Sequence, residues 1–307
     1  MEPIQGNVSI DAQNIMPIIK KWLYSDKDIF IREVVSNGCD AITKLRMVDS
    51  AAAQNCSIHV EVDKAARELR FIDDGIGMTE DEVKTNINQV AFSGAKSFME
   101  EYAKNEDKEN SGIIGHFGLG FYSVFMIADK VTIDTLSFRE GATPVRWESE
   151  DGMAFTMTEG TRTTRGTTIT LHVSEAESEF LEQWRVREVL DRYCSFMSVP
   201  IYLEEIKEEK ADDAEVTGEG SNEVKDGEAA EAKKEEPKPI NDTQPLYTRA
   251  SQDCTDEDYK QFYRKVFHEY DDPLFWIHLN VDYPFKLKGI LYFPKIKEQF
   301  GGIEGQI

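Results

Sequence analysis

Glu33, Asn37, Asp40 and Lys44 are spaced four, three and four within the stretch SDKDIFIREVVSNGCDAITKLRMVD, Ser25 to Asp49. On a helix these side chains fall within about 60° of one another. Phe30, Ile31, Val34, Val35, Ile42 and Leu45 recur on the adjoining face, the pattern of an amphipathic helix. A carboxylate beside a carboxamide at the border of an apolar face can do chemistry. The carboxylate can orient a water and the amide oxygen can hold a metal ion. Taken alone, the row is better read as the line where a solvated face begins.

Three further patches bear on the choice. LRFID reads as a strand ending at Asp73, with Gly75, Gly77 and Met78 directly after it. Gly115, His116, Phe117, Gly118, Leu119 and Gly120 form a glycine-rich turn before the apolar run FYSVFMIA, which predicts a turn opening a helix. Gly166 and Thr167 lead the strand-like ITLHV. Each patch has a use around a nucleotide. A strand-end carboxylate can accept a hydrogen bond from an exocyclic amine, which separates adenine from guanine. Gly75 and Gly77 let backbone approach a base without a Cβ clash, and Met78 can wall the ring. Gly115, Gly118 and Gly120 can offer backbone N–H groups to phosphates. Asn37 can complete a magnesium shell otherwise made of water and phosphate oxygens, with Glu33 as general base toward water. A strand-end Asp is also a common turn former. The glycine turn alone fits a Rossmann loop, although the chain lacks βαβ alternation. No Gly-x-x-x-x-Gly-Lys-Ser/Thr occurs, which disfavours a P-loop.

The elements that would position these residues are readable in outline. Ser25 to Asp28 predicts a capping box for the first helix, and Thr79 with Glu82 predicts another for a helix to about Val90. Val8–Ile10 reads as a short strand, followed by a helix from Asp11 to Leu23. SIHVEVD and LRFID alternate like paired strands. Further strands are expected near 130–136, 144–149, 153–158 and 167–173, a helix at about 178–196, and a closing strand at Pro200 to Leu203. Residues 93–120 read as a mobile segment closing over a site. Strands mixed with helices without regular alternation predict an α+β fold, helices layered on a mixed, largely antiparallel sheet.

The chain has 307 residues and a net charge of −23, with a pI near 4.6. That charge argues against nucleic-acid binding. No apolar run reaches the roughly 20 residues of a membrane span, and the start lacks the marks of a secretory signal. Cys39, Cys56, Cys194 and Cys254 form no Cys-x-x-Cys pair, so reduced, structural thiols in a cytoplasmic protein are expected. Residues 204–243 hold about 15 acidic and 6 basic residues and almost no large apolar side chains. They read as a disordered acidic linker. The expected organisation is a first domain over 1–203, this linker, and a partial α/β segment over 244–307, marginal alone and suggesting a truncated chain.

Glu33-x-x-x-Asn37-x-x-Asp40, Asp73-x-Gly75-x-Gly77, Gly115-x-x-Gly118-x-Gly120 and Gly166-Thr167 resemble, in order, the four motifs of the GHKL ATPases. LYSDKDIFIREVVSNGCDAITKLR, DDGIGMT, SGAKSFME and GHFGLGFYSVFMIAD resemble the 90-kDa heat-shock chaperones almost phrase for phrase. PLFWIHLNVDYPFKLKGILYFPK is similar to the start of that family's middle domain. The resemblance implies a Bergerat fold that binds ATP or ADP with Mg2+, residues 93–120 forming a lid. It implies that Asp73 contacts adenine with help from Thr167, that Asn37 holds the metal and that Glu33 activates water. Asp40, Lys44, Met78, Asn86, Ser93, Gly94, the turn Gly115, His116, Phe117, Gly118, Leu119 and Gly120, and Phe121 match pocket positions. It further implies unfolded client proteins as partners and a homodimer in the full-length protein, with this fragment monomeric. Turnover should be slow, because the family's catalytic arginine comes from the later middle domain. The chain departs from the pattern at Phe92, where many members carry Lys, and at His116, where Gln is usual. A topoisomerase subunit or histidine kinase on the same scaffold, and a nucleotide sensor without catalysis, are the competing readings.

Overall fold

A computed structural model describes residues 26–88, 113–114, 120–206, 237–281 and 287–295. The chain divides between Asn241 and Asp242 into two units. The expected strand and helix before Ser25 and most of the lid lie outside the described residues.

The first unit is a layer of helices on a seven-stranded sheet of order β5-β4-β3-β6-β2-β1-β7. The strands are β1 (Ile58–Asp63), β2 (Glu68–Asp73), β3 (Ala128–Leu136), β4 (Val145–Ser149), β5 (Thr156–Glu159), β6 (Gly166–Val173) and β7 (Ile201–Glu205). All neighbours pair antiparallel except β1 and β7, which run parallel. The predicted α+β class with a mixed, largely antiparallel sheet is what the chain forms. Alternation does the work in β2: Leu69, Phe71 and Asp73 face the core while Glu68, Arg70 and Ile72 do not. Asp73 thus occupies the place where the next apolar residue would sit.

Helix α1 (Ile29–Val48) covers that face. Phe30, Ile31, Val35, Ile42 and Leu45 are fully buried. The Phe30 ring meets Phe71 and Phe180 edge-on, with centroids 6.4 and 5.1 Å away. Its start departs from the predicted capping box. Asp28 is the N-cap residue but caps nothing with its side chain. The carboxylate instead accepts hydrogen bonds from Arg185 Nη2 at 2.5 Å and Arg192 Nη1 at 3.3 Å. Two guanidinium groups outcompete neutral backbone N–H donors for a buried carboxylate.

Helix α2 (Glu80–Asn86) has the predicted Thr79/Glu82 capping box but stops at Asn86. FYSVFM forms a 3-10 helix, Gly120–Met126, rather than an α-helix. Its aromatic residues pack on several sides: Phe121 lies edge-on to Phe125 and to Trp147. The single helix predicted for 178–196 is two elements, a 3-10 turn at Glu175–Leu181 and α3 (Gln183–Cys194). Glu182 between them is extended, and its carbonyl accepts from Arg185 and Val186 to start the second helix.

Both ends of the stretch expected as linker carry hydrogen-bonded structure. β7 continues through Glu205, and Ile206 N–H donates to the Val62 carbonyl. Ile240 N–H donates to Ile201, while the Asn241 amide bonds Ile201 N–H and the carbonyls of Met197 and Val199. Residues 207–236 lie outside the described residues.

The second unit holds α4 (Asp256–Phe267), capped by a Thr255/Asp258 box, and the antiparallel pair β8 (Phe275–Val281) and β9 (Leu287–Phe293). Tyr259 and Tyr263 of α4 are buried against Trp276 and Tyr292. Among the described residues, no helix is long and apolar enough to cross a membrane.

Candidate functional site

The end of β2 and the loop after it form the floor of the site. The sheet register sets Asp73 opposite Thr167, and Thr167 opposite Thr135, a polar rung across β2, β6 and β3. Asp73 and Thr167 are buried, and Thr135 is fully so. Gly75 N–H donates to Asp73 Oδ1 at 2.8 Å. The Thr135 and Thr167 hydroxyls lie 3.1 Å apart. Thr135 Oγ1 also accepts from Met78 N–H at 3.0 Å and donates to the Gly166 carbonyl at 3.1 Å.

The Gly75–Gly77 loop is clamped from two sides. Ile76 N–H donates to the Ala41 carbonyl of α1, and the Ile76 carbonyl accepts from Phe138 N–H after β3. A Cβ on Gly75 would stand 2.6 Å from Ala41 Cβ and 2.7 Å from Asp73 Oδ1. Gly77 has φ +62°, and a Cβ there would stand 1.9 Å from the Leu136 carbonyl oxygen. These glycines are demanded by close backbone approach and, at Gly77, by the left-handed conformation.

Above this floor runs α1. A Cβ on Gly38 would lie 3.5 Å from Asp73 Cβ, so the helix crosses close to the carboxyl. Asn37, beside it, is exposed. Asp40 is buried and accepts from Ile114 N–H at 2.7 Å. Lys44 is half-buried; burial lowers its pKa, opposed by Asp40 and Glu82. One turn before Asn37, Glu33 Oε1 accepts from Arg32 Nη2 at 2.6 Å. Its Oε2 occupies the space that Gly120 leaves empty, 2.1 Å from where a Cβ would be. The predicted carboxylate row and the end of the predicted glycine turn are therefore adjacent.

The structure brings Gly75 and Thr167 to Asp73, Gly77 to Leu136, Met78 to Thr135, and Gly120 to Glu33, with Asp40 and Lys44 on the same helix as Glu33. Asn86 is half-buried at the end of α2. The Phe121 side chain lies in the aromatic core, so only its backbone could meet a ligand. Ser93, Gly94, Gly115, His116, Phe117, Gly118 and Leu119, with Phe92, lie outside the described residues. A cavity of about 300 Å³ beside Asp74, with Asn55, Cys56 and Arg165 in its wall, includes none of the candidate residues. Two residues escaped the sequence reading. Thr135 ties the glycine loop to β6, and Arg162 Nη2 donates to the Asp73 carbonyl at 3.1 Å. Thr135 carried a faint signal, a polar residue where strand VTIDTL should be apolar. Arg162 carried none.

Burial pushes the Asp73 carboxyl up to about 7, against the pull of the Gly75 N–H and Arg162. The native state thus keeps this proton between about pH 4 and 7, where the unfolded chain has released it. Its contribution to stability is full below pH 4 and is lost as pH rises through 7. Denaturant unfolding of wild type and Asp73→Asn across pH 4–8 should show wild type losing stability relative to the variant over that window. A constant difference would contradict the burial described here.

Residues 30–151 match the family described as histidine kinase-, DNA gyrase B-, and HSP90-like ATPase. Residues 179–300 match the Hsp90 protein family. Fold and motif order together place the first unit in the GHKL class of ATPase domains. The chain is 44% identical over 298 residues to a chaperone protein HtpG of Porphyromonas gingivalis, covering 95% of this chain and 40% of that protein. An HtpG of Bacteroides thetaiotaomicron is 47% identical at the same coverages. One of Shigella dysenteriae is 36% identical, covering 92% and 43%. The chain belongs to the Hsp90 family. It spans about 40% of the length of the first two relatives.

Proposed function

We propose that the first unit binds the magnesium complex of ATP or ADP and hydrolyses ATP, as the nucleotide-binding part of a chaperone. The observation that carries this is Asp73: a carboxyl on the core face of a strand, where a hydrophobic residue belongs, cradled by glycines. A buried carboxyl is costly without a partner, and an exocyclic adenine amine has the right polarity to be one. Thr167, held by Thr135, would add a second polar contact beside it. Met78 and the Gly75–Gly77 backbone would line the ring. Asn37 offers a hard oxygen in an exposed position, suited to a magnesium ion that keeps its waters and phosphate oxygens. The ion would neutralise phosphate charge during transfer.

Glu33 is the group proposed to orient water. Arg32 holds one of its oxygens, and the other lies against Gly120, the last residue of the glycine turn. The turn, with Ser93 and Gly94, is proposed as the phosphate contact and 93–120 as the lid. Asp40, Lys44 and Asn86 would support the pocket wall. Client proteins, homodimerisation of the full-length protein and a cytoplasmic location follow from the family and are part of this proposal.

Glu33→Ala tests the catalytic assignment. ADP affinity should stay within about twofold while ATP turnover falls on the order of 100-fold, the scale of a lost general base. Equal turnover in wild type and variant would favour a nucleotide sensor.

A further inference from the structure

The carbonyl of Asp73 is the last of β2, and strand ends are where a ladder opens. Here a side chain from another loop closes it. Arg162, between β5 and β6, donates from Nη2 to the Asp73 carbonyl at 3.1 Å and from Nη1 to Thr168 Oγ1 at 2.5 Å. Its Nε donates to the Thr164 carbonyl at 3.1 Å and Nη2 also to the Arg165 carbonyl at 3.2 Å. The planar fork is thus fixed to its own loop, to β6 and to β2. Gly166 makes the meeting possible. Its φ is +115°, and a Cβ there would stand 2.1 Å from the Asp73 oxygen and 2.8 Å from Arg162 Nη2.

We infer that Arg162 is a positioning residue for adenine recognition, fixing the Asp73 main chain and so the direction in which its carboxylate points. This rests on the proposed role of Asp73. The guanidinium does two jobs that Lys cannot do together. Its geometry joins three segments, and its charge favours the ionised carboxylate that an amine donor needs. The groups facing that carboxyl are the N–H groups of Gly75 and Thr167, the Arg162 charge, and Asp74, with the Cys39 thiol on α1.

The test is ADP affinity across pH 5.5–8.5 for wild type, Arg162→Gln and Arg162→Lys. Carbon-13 NMR of the Asp73 carboxyl, without nucleotide, accompanies it. In wild type, affinity falls as pH drops through the Asp73 midpoint. Arg162→Gln is expected to weaken ADP about tenfold at pH 7, the scale of one charge-assisted hydrogen bond, and to move the carboxyl midpoint upward. Arg162→Lys is expected to restore the midpoint but not the full affinity. A Gln variant with unchanged affinity, or with affinity lowered equally at every pH and an unmoved midpoint, overturns the inference. Should wild type bind no ADP, the adenine reading fails. The carboxyl midpoints then judge the Arg162–Asp73 coupling alone.

Discussion

Asp73→Asn is expected to remove most of the proposed affinity for adenine nucleotides while leaving the fold in place. The carboxylate and the asparagine amide have nearly the same shape, and the Asn Oδ1 can still accept from Gly75 N–H, as Asp73 Oδ1 does at 2.8 Å. What changes is the second oxygen, which becomes an NH2 donor. Facing an exocyclic amine, it sets donor against donor in a buried place. A lost charged hydrogen bond costs about 1.5–3 kcal/mol, and an unpaired donor adds to that. The expected loss is on the order of 100-fold in ADP affinity. The readout is the ADP-induced rise in melting temperature at pH 8, since a ligand that binds only the native state stabilises it by mass action. Wild type should rise and Asp73→Asn should not. An equal rise in both would remove Asp73 from the pocket.

Gly77→Val acts on the fold itself. The residue lies at φ +62°, and the Leu136 carbonyl oxygen stands 1.9 Å from where a Cβ would be. A β-branched residue in the left-handed region is itself strained by about 1–3 kcal/mol. The clash is with backbone, which no rotamer relieves, so β3 or the loop must move. Moving either disturbs the bonds at Ile76 and Thr135 that clamp the loop. Destabilisation of at least about 3 kcal/mol is expected, a large part of the 5–15 kcal/mol that holds a typical domain together. Urea unfolding monitored by circular dichroism checks it. A midpoint shift worth less than about 1 kcal/mol would mean that the loop tolerates a side chain where the geometry shows none fitting.

Much of this was legible because the key residues break a pattern in a readable way. Asp73 stands at the core-facing phase of LRFID, so the alternation that predicts the strand also places its carboxyl inward. Glu33, Asn37, Asp40 and Lys44 follow helical spacing along α1. Gly75 and Gly77 announce a tight loop, though not that Ala41 and Leu136 are what crowd it. The capping box at Thr79 is a local motif and formed as read. Other features depend on partners distant in sequence. Asp28 has the residue type of a cap, yet Arg185 and Arg192, more than 150 residues later, take its carboxylate. The split at Glu182 and the 3-10 form of FYSVFM go with the burial of Phe180, Phe121 and Phe125, which periodicity does not report. Arg162 lies in a loop, TRTTRG, whose sequence gives no hint of reaching β2. The order of the four patches stands in the sequence itself; the register Asp73–Thr167–Thr135 is set by the sheet.

The central claim is that distant segments meet to form a site selective for adenine nucleotides. Calorimetric titration of the wild-type chain with ADP and with GTP, each with magnesium, tests it most directly. Saturable binding of one ADP per chain, at least about 100-fold tighter than GTP, is the predicted result, the size of a buried hydrogen-bond mismatch. Equal affinity for the two nucleotides, or no saturable heat with ADP, would contradict it.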